Sequence, residues 1–194
     1  MKILSTYQIT RCLLCALLLG FSSVGLSADK PGIYFNRQAI HMVDESKNVY
    51  LVSAQVDFNL SPYLEKALLN GVVLKVETFI GLGKRRDWWW NDTNNLSTIS
   101  YQLKYHALSR HFLLTRGDTG ENWNYRSLPS ALRKMGRVVN YKLPALPPRI
   151  QDGSYYLYLN IRLTPATLRL PLRIQSLFNS KYSMVSEVVS WPLP

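Results

Sequence analysis

Apolar and polar residues alternate along much of the chain with a period of two, the signature of strands that bury one face. Val49–Phe58 sets Tyr50, Val52, Ala54, Val56 and Phe58 on one side and Ser53, Gln55 and Asp57 on the other. Ile99–Tyr105 does the same with Ile99, Tyr101, Leu103 and Tyr105 against Ser100, Gln102 and Lys104. In Tyr155–Leu163 the odd positions Tyr155, Leu157, Leu159, Ile161 and Leu163 face inward, and Tyr156, Tyr158, Asn160 and Arg162 face out. Val72–Ile80 alternates similarly, Phe112–Thr115 and Val185–Trp191 are shorter runs, and Ile33–Val43 is less regular. Two stretches switch to helical spacing. Ser61-Pro62 offers an N-cap followed by proline at the first helical position, Leu64, Ala67 and Leu68 share a face, and Asn70-Gly71 stops the helix. Ser127 to Met135 aligns Leu128, Ala131, Leu132 and Met135 before Gly136. Pro144–Pro148 and Thr164–Pro171 read as connectors, because proline donates nothing to a ladder. With no internal repeat, the pattern predicts a mainly β chain. It is an antiparallel, immunoglobulin-like β-sandwich of six or seven strands with two short helical insertions, forming one domain over residues 29–194.

Residues 1–28 stand apart from that pattern. Lys2 and Arg11 precede an apolar run from Cys12 to Val24, and small residues close it at Ser27 and Ala28, as in a cleaved secretory signal peptide. The alternative is an uncleaved inner-membrane anchor, which needs roughly 20 strongly apolar residues; this run is shorter and ends in Gly and Ser. Export to the periplasm is the expectation. Both cysteines, Cys12 and Cys15, leave with the signal, so the mature chain has no disulfide, thiolate nucleophile or thiolate metal site.

Composition then narrows the class. Apolar residues make up 47% of the chain and charged ones 18%, which excludes a disordered tail. Removing Lys2 and Arg11 from 23 basic residues leaves 21 against 12 acidic ones, a net charge of +9. In the cytosol such a balance points to nucleic acid. Outside the inner membrane it points to an envelope protein or to an anionic envelope surface, with peripheral membrane contact, and not to nucleic acid.

Catalytic chemistry leaves no imprint. His106 and His111 are five apart, which in one strand puts them on opposite faces, and no carboxylate lies nearby to complete a metal site. Asp44-Glu45 and the acids Asp118 and Glu121 fall in turn-like segments where solvated acids are the default. No nucleophile elbow, zinc-protease helix or phosphate-cradling glycine loop occurs, and no cofactor or metal is implied. The segment Lys84-Arg85-Arg86-Asp87-Trp88-Trp89-Trp90 is the most unusual. Three consecutive tryptophans cannot all face one core, because successive strand side chains point to opposite sides. Arg85, Arg86, Trp88, Trp89 and Trp90 are therefore the first candidate binding residues, for a sugar, a membrane interface or a partner protein. Tyr105, His106 and Arg110 are the second group.

In order and kind these features resemble an exported bacterial family, domain of unknown function 4390. The likeness is carried by Ala67-Leu68-Leu69-Asn70-Gly71-Val72-Val73-Leu74, Arg86-Asp87-Trp88-Trp89-Trp90, Leu103-Lys104-Tyr105-His106-Ala107-Leu108-Ser109-Arg110, the Ser127–Leu132 helix and the Tyr158–Leu163 strand. It departs at Pro129-Ser130, where the family has acidic helix formers, and at Leu170-Pro171, where its late Leu-Pro step is displaced. The resemblance implies a signal peptide and no assigned activity. It also implies genes that often neighbour a nitrogen-regulatory type sensor kinase and its response regulator, hence a link to two-component sensing. The expected function is a non-enzymatic binding or accessory domain of the cell envelope. The alternative is an enzyme acting on cell-wall glycan or peptide. N-terminal sequencing of the exported protein is expected to begin at Asp29; a chain that begins at Met1 and stays with the membrane would establish the anchor instead.

Overall fold

A computed structural model describes residues 30–44, 49–85, 92–146, 154–166 and 182–193. The signal peptide expected at 1–28, the Arg86–Trp90 segment and the ends of both proline-rich connectors, 147–148 and 167–171, lie outside the described residues.

The runs Val49–Phe58, Val72–Ile80, Ile99–Tyr105, Phe112–Thr115 and Tyr155–Leu163 fall in strands that bury the side the pattern assigns, and Ile33–Val43 is also a strand. Val185–Trp191 is instead divided between two short strands, with Val185 and Val188 exposed and Ser186 buried. Chain order is β1 (Gly32–Asp44), β2 (Val49–Asn59), α1 (Pro62–Leu69), β3 (Leu74–Lys84), β4 (Asp92–His106), β5 (His111–Arg116) and β6 (Asn122–Tyr125), then α2 (Leu128–Met135), β7 (Arg137–Lys142), β8 (Tyr155–Pro165), β9 (Met184–Val185) and β10 (Val189–Pro192). β1, β2 and β7 form a small sheet with β2 at its centre. The large sheet runs β10-β8-β3-β4-β5-β6, with β9 pairing β8. All pairings are antiparallel. The fold is thus the expected mainly β antiparallel sandwich with two short helices.

One core fills the space between the sheets. Tyr50, Val52, Ala54, Val56 and Phe58 enter it from β2, and Leu74, Val76, Ile80 and Leu82 from β3. Leu157, Leu159, Ile161 and Leu163 enter from β8, with Ile99, Tyr101 and Leu103 from β4. Each fully buried aliphatic side chain contributes about 1.5–3 kcal/mol. Ser97 Oγ hydrogen-bonds the Tyr141 hydroxyl, tying β4 of the large sheet to β7 of the small one.

Both helices start and stop close to the expected positions. Ser61 Oγ accepts from Leu64 N–H at 3.3 Å, and Gly71 follows α1 with φ +86°, the left-handed geometry that glycine tolerates best. Ser127 precedes α2 in extended geometry, yet its hydroxyl donates to Ser130 Oγ at 2.8 Å and caps no backbone group. α2 is held instead by burial of Ala131, Leu132 and Met135.

The structure corrects the reading of three segments. Thr164 and Pro165 belong to β8, paired with Lys75 and Leu74. Proline is accommodated because Pro165 shares its parity with Ile161, whose N–H points to the β9 side; Pro165 lies past β9, where its nitrogen meets no ladder partner. β6 and β7 were not expected at all. Each is short, and in β7 only Val138 is buried, so no alternating apolar row marks it.

Two contacts hold the edges of this arrangement. Ser186 is buried between β9 and β10: its N–H donates to Ile161 C=O at 2.8 Å, and its hydroxyl accepts from Ile161 N–H at 2.9 Å. Gly136, the residue after α2, accepts from Val56 N–H at 2.9 Å, and a Cβ there would stand 2.0 Å from Val56 O. Gly136→Ala is expected to cost about 2–3 kcal/mol, since the obstacle is backbone that cannot turn aside. Ser186→Ala is expected to cost about 1–3 kcal/mol by stripping the Ile161 N–H of its acceptor. Chemical denaturation measures both; wild-type stability in Gly136→Ala would mean that α2 sits farther from β2 than the structure has it.

Candidate functional site

The two groups of sequence-predicted residues are not one site. β3 and β4 pair from Leu74↔Leu103 to Lys84↔Asp92, so Arg85 and His106 lie beyond opposite ends of the ladder, about 48 Å apart along the strand at ~3.4 Å per residue. Arg85 is exposed just past β3, and its N–H donates to Ser154 C=O at 2.8 Å. Arg86, Trp88, Trp89 and Trp90 lie outside the described residues.

Tyr105, His106 and Arg110 do come together, in the β4–β5 hairpin. Tyr105 is half-buried, its ring 5.0 Å from that of Phe112, so it is largely a packing residue. The structure overturns the expectation that His106 and His111 face opposite ways. The chain reverses between them, and His106↔His111 is the cross-strand pair that closes the hairpin. Ser109 organises both rings: its N–H donates to His106 Nδ1 at 3.3 Å, and its carbonyl accepts from His111 Nδ1. Arg110 takes φ 54° to complete the turn, and Leu108 at the tip is 94% exposed. Among the described residues, no three His, Cys, Asp or Glu side chains come close enough to hold a metal ion. None of the described helices is long and apolar enough to cross a membrane.

A concavity that neither candidate group lines lies elsewhere, on the outer face of the small sheet. Because β2 buries its even positions, Gln55, Asp57 and Asn59 face outward beside Tyr34 and Asn36 of β1. α2 buries Ala131, Leu132 and Met135 and turns Arg133 away from the core, while Pro129 and Ser130 line its near side. Between sheet and helix lies an open groove of about 1310 Å³. A shallower hollow of about 630 Å³ continues it along Arg37, Gln38, Ser53 and Val139, and the two share Asn36, Gln55 and Arg137. Five cations line this surface, Lys30, Arg37, Arg133, Lys134 and Arg137, against two acids, Asp57 and Glu65. Such an excess concentrates positive potential in a concave space, where field lines focus.

The rim is preorganised. The Tyr34 hydroxyl and Asn59 Nδ2 both donate to the Lys30 carbonyl, at 2.7 and 3.0 Å, and Asn36 Nδ2 donates to Asp57 Oδ2 at 2.5 Å. Lys134 Nζ lies 4.5 Å over the Trp123 ring, which in turn is 6.3 Å from Tyr101, so the helix is tied to β6 and β4. Burial raises the Tyr101 hydroxyl above its ordinary value near 10, against the opposing pull of Arg116. The folded state therefore holds that proton more tightly than the unfolded one. Its contribution is complete below the unfolded pKa and is lost as pH climbs through the raised folded value. Tyr101→Phe is expected to flatten the alkaline decline of the melting temperature; an unchanged slope would assign it to other tyrosines.

Sequence reasoning missed this groove. Three of its cations, Arg133, Lys134 and Arg137, lie within five residues of sequence, but Lys30 and Arg37 come from about a hundred residues earlier, and only the folded small sheet gathers them. A mainly β sandwich with a basic, amide-lined groove is the class this geometry defines. The model of the domain of unknown function DUF4390 matches residues 37–192, and the chain belongs to that family. Neither a curated protein nor a solved structure matches it.

Proposed function

We propose that the protein is a non-enzymatic binding module of the cell envelope, exported by residues 1–28, whose groove takes up an extended acidic segment of an envelope protein. The observation that carries this reading is the groove itself: five cations to two acids around a floor of side-chain amides. Lys30, Arg37, Arg133 and Arg137 supply attraction and a fast, salt-sensitive encounter. Asn36, Gln38, Gln55 and Asn59 offer both donors and acceptors, which suit the peptide groups of an extended chain. A bilayer surface is too flat to follow the groove to its floor, which favours a polymer over a headgroup layer.

The test is fluorescence anisotropy with a labelled polyglutamate of 20 residues, alongside vesicles of anionic phospholipid. Wild type is expected to bind the peptide, more weakly as salt rises and the Debye length falls below about 10 Å. The double charge reversal Arg133→Glu/Arg137→Glu is expected to weaken binding by about tenfold or more at low salt. A folded double variant that binds as wild type does, or a protein that binds only the vesicles, would overturn the assignment of the groove. Turnover of isolated cell-wall glycan by the purified protein would overturn the non-enzymatic reading.

A further inference from the structure

The other outer face of the sandwich is built differently. On β3 the outward positions of the strand's second half are Gly81 and Gly83, and β8 sets Tyr158 and Tyr156 directly opposite them. A Cβ at Gly81 would meet the Tyr158 ring at 2.2 Å, and one at Gly83 would meet the Tyr156 ring at 2.2 Å. Both rings therefore lean across the ladder and occupy the space of the missing side chains. Each tyrosine lies down on a glycine seat, which is how edge-on aromatics are converted into a flat layer on a sheet. The glycines are buried beneath them while the tyrosines keep part of their surface exposed. Burial raises the Tyr158 hydroxyl above its ordinary value, and the neighbouring Tyr156 adds to that shift, as expected for two adjacent hydroxyls on one surface.

The fringe of this layer is polar and less charged than the groove, with Arg162 and Lys75 against Glu77. Ser190 and Pro192 of β10 flank the tyrosines on one side and are exposed. Along β8 follow Asn160 and Arg162, the latter 5.8 Å over the Phe79 ring. On β3, Lys75 and Glu77 form an ion pair at 2.7 Å. Nothing here resembles the cation excess of the groove.

We infer that the recumbent pair Tyr156 and Tyr158 is a stacking platform for a neutral saccharide chain. Two features point to that chemistry. Flat aromatic layers receive the apolar C–H faces of pyranose rings, and the tyrosine hydroxyls and Ser190 donate to and accept from sugar hydroxyls. Successive outward residues on one strand stand about 6.8 Å apart, so the two rings offer consecutive footholds along an extended ligand. The glycines are part of the device, because any side chain at Gly81 or Gly83 would lift a ring off the sheet. This surface is independent of the groove, and its failure would leave the acidic-peptide reading standing.

The test is an NMR titration of the purified protein with the tetramer of N-acetylglucosamine. Ring resonances of Tyr156 and Tyr158 are expected to move and to saturate together. Tyr156→Ala/Tyr158→Ala is expected to weaken binding by at least about fivefold per ring, whereas Tyr156→Phe/Tyr158→Phe, which keeps the stack and loses only hydroxyls, is expected to stay within about threefold of wild type. The phenylalanine variant also separates loss of binding from loss of fold. Absence of shifts in the folded wild type at millimolar tetrasaccharide would overturn the platform. So would binding that survives in a folded alanine variant, or tyrosines that respond only when an envelope protein is added.

Discussion

The small-sheet side of the molecule depends on one close approach, that of Gly136 to Val56. The glycine caps α2, leads into β7 and accepts the Val56 N–H, and it can do all three because it has no side chain to strike the Val56 carbonyl. That contact fixes the distance between helix and sheet. Once it is set, Ala131, Leu132 and Met135 reach the core, and Arg133 and Arg137 are left on the rim of the space that remains. The groove is therefore a by-product of how a short helix closes a three-stranded sheet. A helix of eight residues has little stability of its own. Its position is enforced by this backbone bond, by burial and by the Lys134–Trp123 contact.

Much of the fold was legible because most long strands obey a single rule. Alternation in Val49–Phe58, Tyr155–Leu163 and Ile99–Tyr105 reports a buried face directly, and the structure buries the sides it names. Helix ends were legible where glycine and serine act locally, at Ser61 and Gly71. What escaped depends on tertiary context. β7 is defined by its pairing with β2 and not by its own pattern, since Val139 is exposed and Asn140 adopts φ 48° where Ser53 bonds it. Pro165 is tolerated in β8 only because its nitrogen points past the short β9. His106 and His111 share a face because a turn intervenes, which spacing alone cannot encode.

The candidate surfaces divide along the same line. Two cations of the groove, Lys30 and Arg37, lie about a hundred residues before the other three, Arg133, Lys134 and Arg137, and the densest local run of charge is elsewhere, at Lys84-Arg85-Arg86. The tyrosine platform did carry a local mark. Two glycines alternate within one strand and two outward tyrosines alternate within another, and glycine inside a strand marks a close approach by something else. What the chain could not disclose is the register that brings the two pairs opposite each other, because β3 and β8 are separated by five intervening elements.

The two outer faces of the sandwich thus present opposite chemistries on one core. The small sheet offers a concave, cationic surface, and the large sheet offers a flatter surface with seated aromatic rings. A close-packed interior about 10 Å thick separates them. Substitutions that far apart combine additively unless they disturb the core itself. Gly81 and Gly83 lie on a strand whose alternate residues, Ile80 and Leu82, are buried, whereas Arg133 and Arg137 stand at the end of a short helix. The rigid face is therefore suited to a ligand recognised by shape, and the charged face to one gathered by long-range attraction. On the two proposed readings, a saccharide chain on one side and an acidic segment on the other would not compete for space.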